Sequence, residues 1–361
     1  MNLRSLFSPF LAALFSALVS APLSSPFSAL FSSLSAVAVF TSLPRPAFAA
    51  DAVRVVEQEW MDAARNRGVP VRFYLPDGGN HSAPLPLILF SHGLGGSRAG
   101  GEQWGRLWAA NGFISVHLQH QGSDEALWKD KNPLQGFANL RRAMTVENGV
   151  LRAQDAAFAI DEISRRKQAG DAVLARADLE RIGMSGHSFG ARTVVAVTSG
   201  AANQSGSSLG GNLVGNLGGK SGEKRIRAAI AFSPAPETSE ALNRERFGGI
   251  AIPFLNLTGT ADHLPLINDV SAEDRRIPYQ FMHAPDKYLL VLAGADHMVF
   301  NGQPAERKWS EQNRSVHAPL IERVTLTFWN AYLKGDAGAK AELRGGAFKA
   351  ALGGSGEWFV K

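Results

Sequence analysis

The chain has 361 residues, 45% hydrophobic and 19% charged, enough apolar material for a large packed core and too much for a disordered polymer. It contains no cysteine, which excludes a disulfide framework, a thiolate nucleophile and a thiolate-bound metal. The formal charge of +5 falls to +3 once Arg4 and Arg45 are set apart, and the longest basic run is Arg165-Arg166-Lys167, so no electrostatic footprint for nucleic acid is present.

Residues 1–49 hold no Asp, Glu or Lys. They carry apolar stretches over 10–21 and 27–40, parted by Pro22 and Pro26, and end on Ala47-Phe48-Ala49. Apolar sequence followed by a small-residue A-x-A pattern is how a cleaved export leader is built. Neither stretch reaches the roughly 20 residues that cross a bilayer, so no membrane span is expected in the mature chain. Residues 1–49 therefore read as a signal peptide and 50–361 as an exported chain, periplasmic or secreted. An uncleaved anchor and an organellar transit peptide are the alternatives, and all three keep this stretch out of the fold.

From residue 69 onward, short β-branched or Leu-rich runs alternate with longer segments of helical period. The strand-like runs are 70–75, 87–90, 113–117, 181–185, 228–232, 250–257 and 288–292. Helical segments fall at 101–111, 149–167, 191–198 and 319–334. In the second of them Ala153, Ala156, Ala157, Ile160 and Ile163 form one apolar stripe. This alternation predicts an α/β fold, a mostly parallel sheet with helices on both faces, needing no second domain. Residues 199–223, rich in Gly, Ser and Asn, read as a loop excursion. Residues 262–287 read as a loop with a short helix. No internal repeat is evident.

The most specific local signal is Gly186-His187-Ser188-Phe189-Gly190, between the strand-like run 181–185 and the helical run 191–198. In that context G-x-S-x-G puts the serine on a sharp elbow with its hydroxyl at the top of the sheet; the bland alternative is a tight turn with a capping serine. A serine hydroxyl is a weak nucleophile near neutral pH. It needs a base within hydrogen-bond reach and a third group to orient that base. Asp262 follows the apolar run 250–257 and the turn Gly259-Thr260-Ala261, and His297 follows the run 288–292, so both stand just past strand ends where open α/β sheets bind ligands. The order serine, acid, histidine is the one this architecture requires. Asp296 adjoins His297 but points away from it, and Asp269 and Asp274 are weaker candidates because neither directly follows a strand-like run.

Acyl transfer also needs backbone donors for the oxyanion. One is expected at Phe189, the amide after the nucleophile. The other is expected at Leu94, in the loop Ser91-His92-Gly93-Leu94-Gly95-Gly96-Ser97 that follows the run 87–90. That loop matches neither common phosphate-binding glycine pattern. His117 and His120 lack a third ligand at zinc spacing and read as core or loop residues. His92 and His187 read as hydrogen-bonding to nearby backbone, and Trp104, Trp108 and Trp128 as core.

Phe90-Ser91-His92-Gly93-Leu94-Gly95 together with Gly186-His187-Ser188-Phe189-Gly190 resembles the plasma-type platelet-activating-factor acetylhydrolases and their bacterial dienelactone-hydrolase-like relatives, within the α/β-hydrolase superfamily. The likeness covers roughly residues 69–300. It implies a serine esterase with nucleophile Ser188, oxyanion amides Leu94 and Phe189, and a small-molecule or lipid ester as substrate. Two departures stand out. Dienelactone hydrolases use a cysteine, absent here. The plasma-type enzymes take their acid just after the strand that follows the nucleophile, where this chain reads Ala231-Phe232-Ser233-Pro234-Ala235, so the acid falls to Asp262. The expectation is a carboxylic-ester hydrolase working through Ser188, His297 and Asp262 with no metal or organic cofactor. The alternatives are a thioesterase or acyltransferase on the same triad, and a non-catalytic binding protein on the same fold.

Overall fold

The computed structural model describes residues 53–77, 83–199, 223–264, 269–302 and 308–361. The leader at 1–49 and nearly all of the 199–223 excursion lie outside the described residues. The core is a nine-stranded sheet in the order β1-β2-β4-β3-β5-β6-β7-β8-β9. Its strands are β1 Val53–Asp62, β2 Arg67–Pro76, β3 Leu85–Ser91, β4 Ile114–Leu118, β5 Ala177–His187, β6 Ile226–Phe232, β7 Phe254–Ala261, β8 Lys287–Asp296 and β9 Gly356–Val360. Strands β4, β3, β5, β6, β7 and β8 pair in parallel; β1, β2 and β9 pair antiparallel at the edges.

The helices are α1 Glu102–Ala110, α2 Pro133–Ala143, α3 Val146–Gln168, α4 Phe189–Ser199, α5 Glu240–Gly248, the single turn α6 Ile277–Gln280, α7 Lys308–Leu333, α8 Ala337–Arg344 and α9 Gly346–Leu352. The two-residue period of the strands explains why both faces are covered. Leu87 and Leu89 of β3 join one buried cluster with Ala153, Ala156, Ile160 and Ile163 of α3 and Val194 of α4. Ile88 and Phe90 join the other, with Trp104 and Trp108 of α1 and Ile321, Val324 and Phe328 of α7. Strands buried on both sides have no polar face, and read as continuous apolar runs.

The expected parallel sheet and its two helical layers are present. Several elements differ from the sequence reading, four of them instructively. The apolar run 250–257 becomes strand only from Phe254, because Pro253 has no N–H for the ladder; its carbonyl instead accepts from Ala229. Helix α7 starts well before Pro319 and carries it inside. The edge strands β1 and β9 have no counterpart in the sequence reading, since β1 mixes charged and exposed residues with its apolar ones, and each buries little beyond Trp60, Asp62 or Trp358.

Candidate active site

Ser188, Asp262, His297 and Leu94 all follow the carboxyl ends of parallel strands: β5, β7, β8 and β3 in turn. Ser188 forms the turn between β5 and α4 at φ 57°, a left-handed conformation that a side-chain-bearing residue adopts only under constraint. The turn is pinned by Ser188 N–H donating to Phe232 O at 2.9 Å, and its carbonyl accepts from Arg192 N at 3.2 Å as α4 begins. The flanking glycines follow from crowding. A Cβ on Gly186 would lie 2.5 Å from Gly190 O, and one on Gly190 would collide with the Ser91 carbonyl of β3. The elbow thus meets the loop after β3 backbone to backbone.

Asp262 is fully buried and its carboxylate is held on both oxygens. Oδ2 accepts from Thr258 Oγ1 at 2.8 Å, and Oδ1 accepts from His297 Nδ1 at 2.6 Å. Arg275, also buried, donates from Nε to the Asp262 carbonyl at 2.8 Å and stands 2.9 Å from Oδ1. Burial alone would push the Asp262 carboxyl up; His297 and Arg275 beside it overcome that and hold it at about 2. Burial pulls His297 below its ordinary value, against the opposing pull of Asp262. The bond to Asp262 fixes a proton on Nδ1 and leaves Nε2 as the basic nitrogen.

His187, next to the serine, donates from Nε2 to the His297 carbonyl at 3.0 Å, and the two rings lie 4.6 Å apart. Asp262 and His297 are therefore in direct contact, and Ser188 is tied to His297 through its neighbour. Among the described residues no hydrogen bond joins the Ser188 hydroxyl to the His297 ring. In unliganded sites such contacts are often long and tighten when substrate arrives.

The loop after β3 is ordered by Gly95 N–H donating to Ser123 O at 2.9 Å and Trp128 Nε1 donating to Gly95 O at 2.7 Å. The Leu94 N–H takes part in no backbone hydrogen bond of the described residues. Phe189, first in α4, has no acceptor within its own helix. Gly93 packs so close to the elbow that a Cβ there would sit 3.1 Å from His187 Nδ1 and 3.6 Å from Ser188 Cβ.

The remaining candidates fall elsewhere. Asp296 caps the backbone, accepting from Met298 N at 2.9 Å and Val299 N at 3.0 Å. Asp274 bonds Ser271 on the surface. His117 is buried against Gly100 O and Ser115 Oγ, and Trp104 and Trp108 are buried while Trp128 is half-buried. Among the described residues no group of three His, Cys, Asp or Glu side chains could hold a metal ion, and no helix is long and apolar enough to cross a membrane. Two buried arginines, Arg275 and Arg152, escaped the sequence reading. Arg152 had a signal, as a charge on the stripe of α3; Arg275 had none. Neither a scan against protein-family models nor a search of curated proteins finds a match for this chain.

Proposed function

We propose that this protein is a serine carboxylic-ester hydrolase of the α/β-hydrolase type, exported by the leader at residues 1–49, that cleaves small or lipid-like esters through an acyl-enzyme. The observation that carries this is the buried pair of Asp262 and His297, 2.6 Å apart, at the sheet edge that also bears a serine on a strained, glycine-flanked turn. The chain order Ser188, Asp262, His297 and the strand-to-helix position of the serine agree with that architecture.

His297 Nε2 takes the Ser188 proton as Oγ attacks the ester carbonyl carbon. The carbonyl π electrons move onto oxygen, which receives the Leu94 and Phe189 amides. Collapse expels the alcohol, protonated by His297, and leaves an ester on Ser188. Water, deprotonated by the same nitrogen, then releases the acid and restores the hydroxyl. Asp262 keeps the imidazole in the useful tautomer and stabilises its positive charge.

The test is covalent labelling with a fluorophosphonate probe beside hydrolysis of p-nitrophenyl acetate and butyrate. The wild-type chain is expected to label on Ser188 and turn over, and Ser188→Ala to lose the label and activity by a factor on the order of 10⁴ or more. A wild-type chain that neither labels nor hydrolyses, or a Ser188→Ala chain that labels undiminished, overturns the assignment. N-terminal sequencing of the exported protein checks the leader: the first residue is expected near Ala50.

A further inference from the structure

Arg152 stands on α3 in register with Ala156, Ala159 and Ile163, at i, i+4, i+7 and i+11, so a charged side chain enters the core on the apolar stripe. It is fully buried. A guanidinium has five donors and no acceptor, and removing it from water is costly unless those donors are used.

Their destinations are specific. Nη1 donates to His92 O at 2.7 Å and lies 3.5 Å from Ser91 Oγ. Nε donates to Ser123 Oγ at 2.8 Å, and Nη2 reaches Gly93 O at 3.4 Å and Ser123 O at 3.3 Å. The Cζ of the same guanidinium lies over the Phe189 ring, 4.4 Å from its centre. One side chain therefore touches both segments that carry the candidate oxyanion donors.

The Gly93 carbonyl and the Leu94 N–H belong to one planar trans peptide group, in which the two point in opposite directions. Donors on the Gly93 oxygen, from Arg152 and from His92 Nδ1 at 2.6 Å, draw that oxygen inward. The Leu94 N–H is turned the other way, and hydrogen bonds to its carbonyl polarise it further.

A second layer supports the first. Asp155, one turn along α3, accepts from Arg67 at 2.8 and 2.9 Å and from His120 Nδ1 at 3.0 Å, and His120 Nε2 meets Ser91 Oγ at 2.8 Å. Ser91, His120 and Asp155 thus repeat the hydrogen-bond order of a hydrolytic triad. Each is 0% exposed, so no substrate reaches them and their part is support.

We propose that Arg152 is the positioning residue of the oxyanion hole, fixing the Leu94 amide through the His92 and Gly93 carbonyls and the start of α4 through the Phe189 ring. This rests on the esterase function proposed above.

The test uses the full mature chain, with rates divided by the sites that a fluorophosphonate probe titrates, so that a loss of folded protein does not register as a loss of turnover. Arg152→Lys keeps the charge and loses the fork. Its kcat on p-nitrophenyl acetate is expected to fall roughly 10- to 100-fold, with KM within about twofold and the acid limb of the pH profile unmoved. Phe189→Leu keeps the amide and removes the ring. It is expected to lower kcat in the same direction by roughly 3- to 10-fold, and it decides the matter if Arg152→Lys does not fold. A per-site kcat within twofold of wild type in the folded lysine variant, or an unchanged kcat in Phe189→Leu when that variant must decide, overturns the role of Arg152. An unlabelled, inactive wild-type chain overturns the esterase function instead.

Discussion

A charge outside the Ser188, Asp262 and His297 set also bears on the imidazole: Arg275 sits beside Asp262 and acts on His297 through space. Burial sets the low starting point of the imidazole, Asp262 raises it, and Arg275 lowers it again. In the proposed mechanism the base works only when neutral, so the acid limb of kcat/KM is expected to report this balance. Asp262→Asn removes the raising partner, so the limb is expected to move to lower pH while kcat falls by a factor on the order of 10⁴. Arg275→Met removes a lowering partner and is expected to move the limb to higher pH. A pH series on p-nitrophenyl acetate decides it; limbs that shift in the same direction refute the balance. Ser188, Asp262 and His297 can be singled out in the sequence because each follows a strand-like run, a local signal. Arg275 cannot, because its partners include the Ser233 and Pro234 carbonyls, at 3.0 and 3.2 Å, and carbonyls are anonymous in a sequence. Arg152 is intermediate: a charge at a core position of α3 is visible, but its partners are not.

Among the elements, the elbow between β5 and α4 is the most constrained. Its glycines are required by the Ser91 carbonyl of the neighbouring strand as well as by the turn itself. Gly190→Ala is expected to destabilise the fold on the order of 3 kcal/mol, read as a lowered urea midpoint, whereas Gly149→Ala, with open space at its Cβ, is expected to leave the midpoint unchanged or raise it. Equal midpoints would show that the strand β3 contact yields freely. The central strands are legible because burial on both sides leaves them mostly apolar. Edge strands lack that pressure: β1 alternates charge with half-buried side chains and is held by pairing to β2, a partner the local pattern does not reveal. Pro319 misleads for the opposite reason, since a proline reads as a helix start while tertiary packing of Ile321, Val324 and Phe328 carries α7 through it.

For the molecule as a whole, buried imidazoles set the response to acid. His92, His117, His120, His187 and His297 are all buried, and burial lowers each of them, His117 to about 3 and His120 to about 4. The unfolded chain protonates these rings as pH falls through about 6.5, before the folded chain does. Stability therefore falls as pH drops below that point, by about 1.4 kcal/mol per pH unit for each ring that remains neutral when folded. Asp155 and Asp262 act lower down. Burial opposes their charge, but paired cations hold both near 2, so their contribution is complete above about 3.9 and disappears as pH falls through 2. Urea midpoints are expected to fall steeply between pH 6.5 and 4.5, and a flat profile there would contradict this account.

Beside their side-chain partners, Arg152 and Arg275 each grip several main-chain oxygens, a part of the hold that every residue type can supply. Those oxygens belong to the backbone, so both arginines hold the rim from beneath whatever the exposed side chains above it are. For the proposed esterase this separates the backbone that carries the oxyanion donors from the side chains that would meet the substrate.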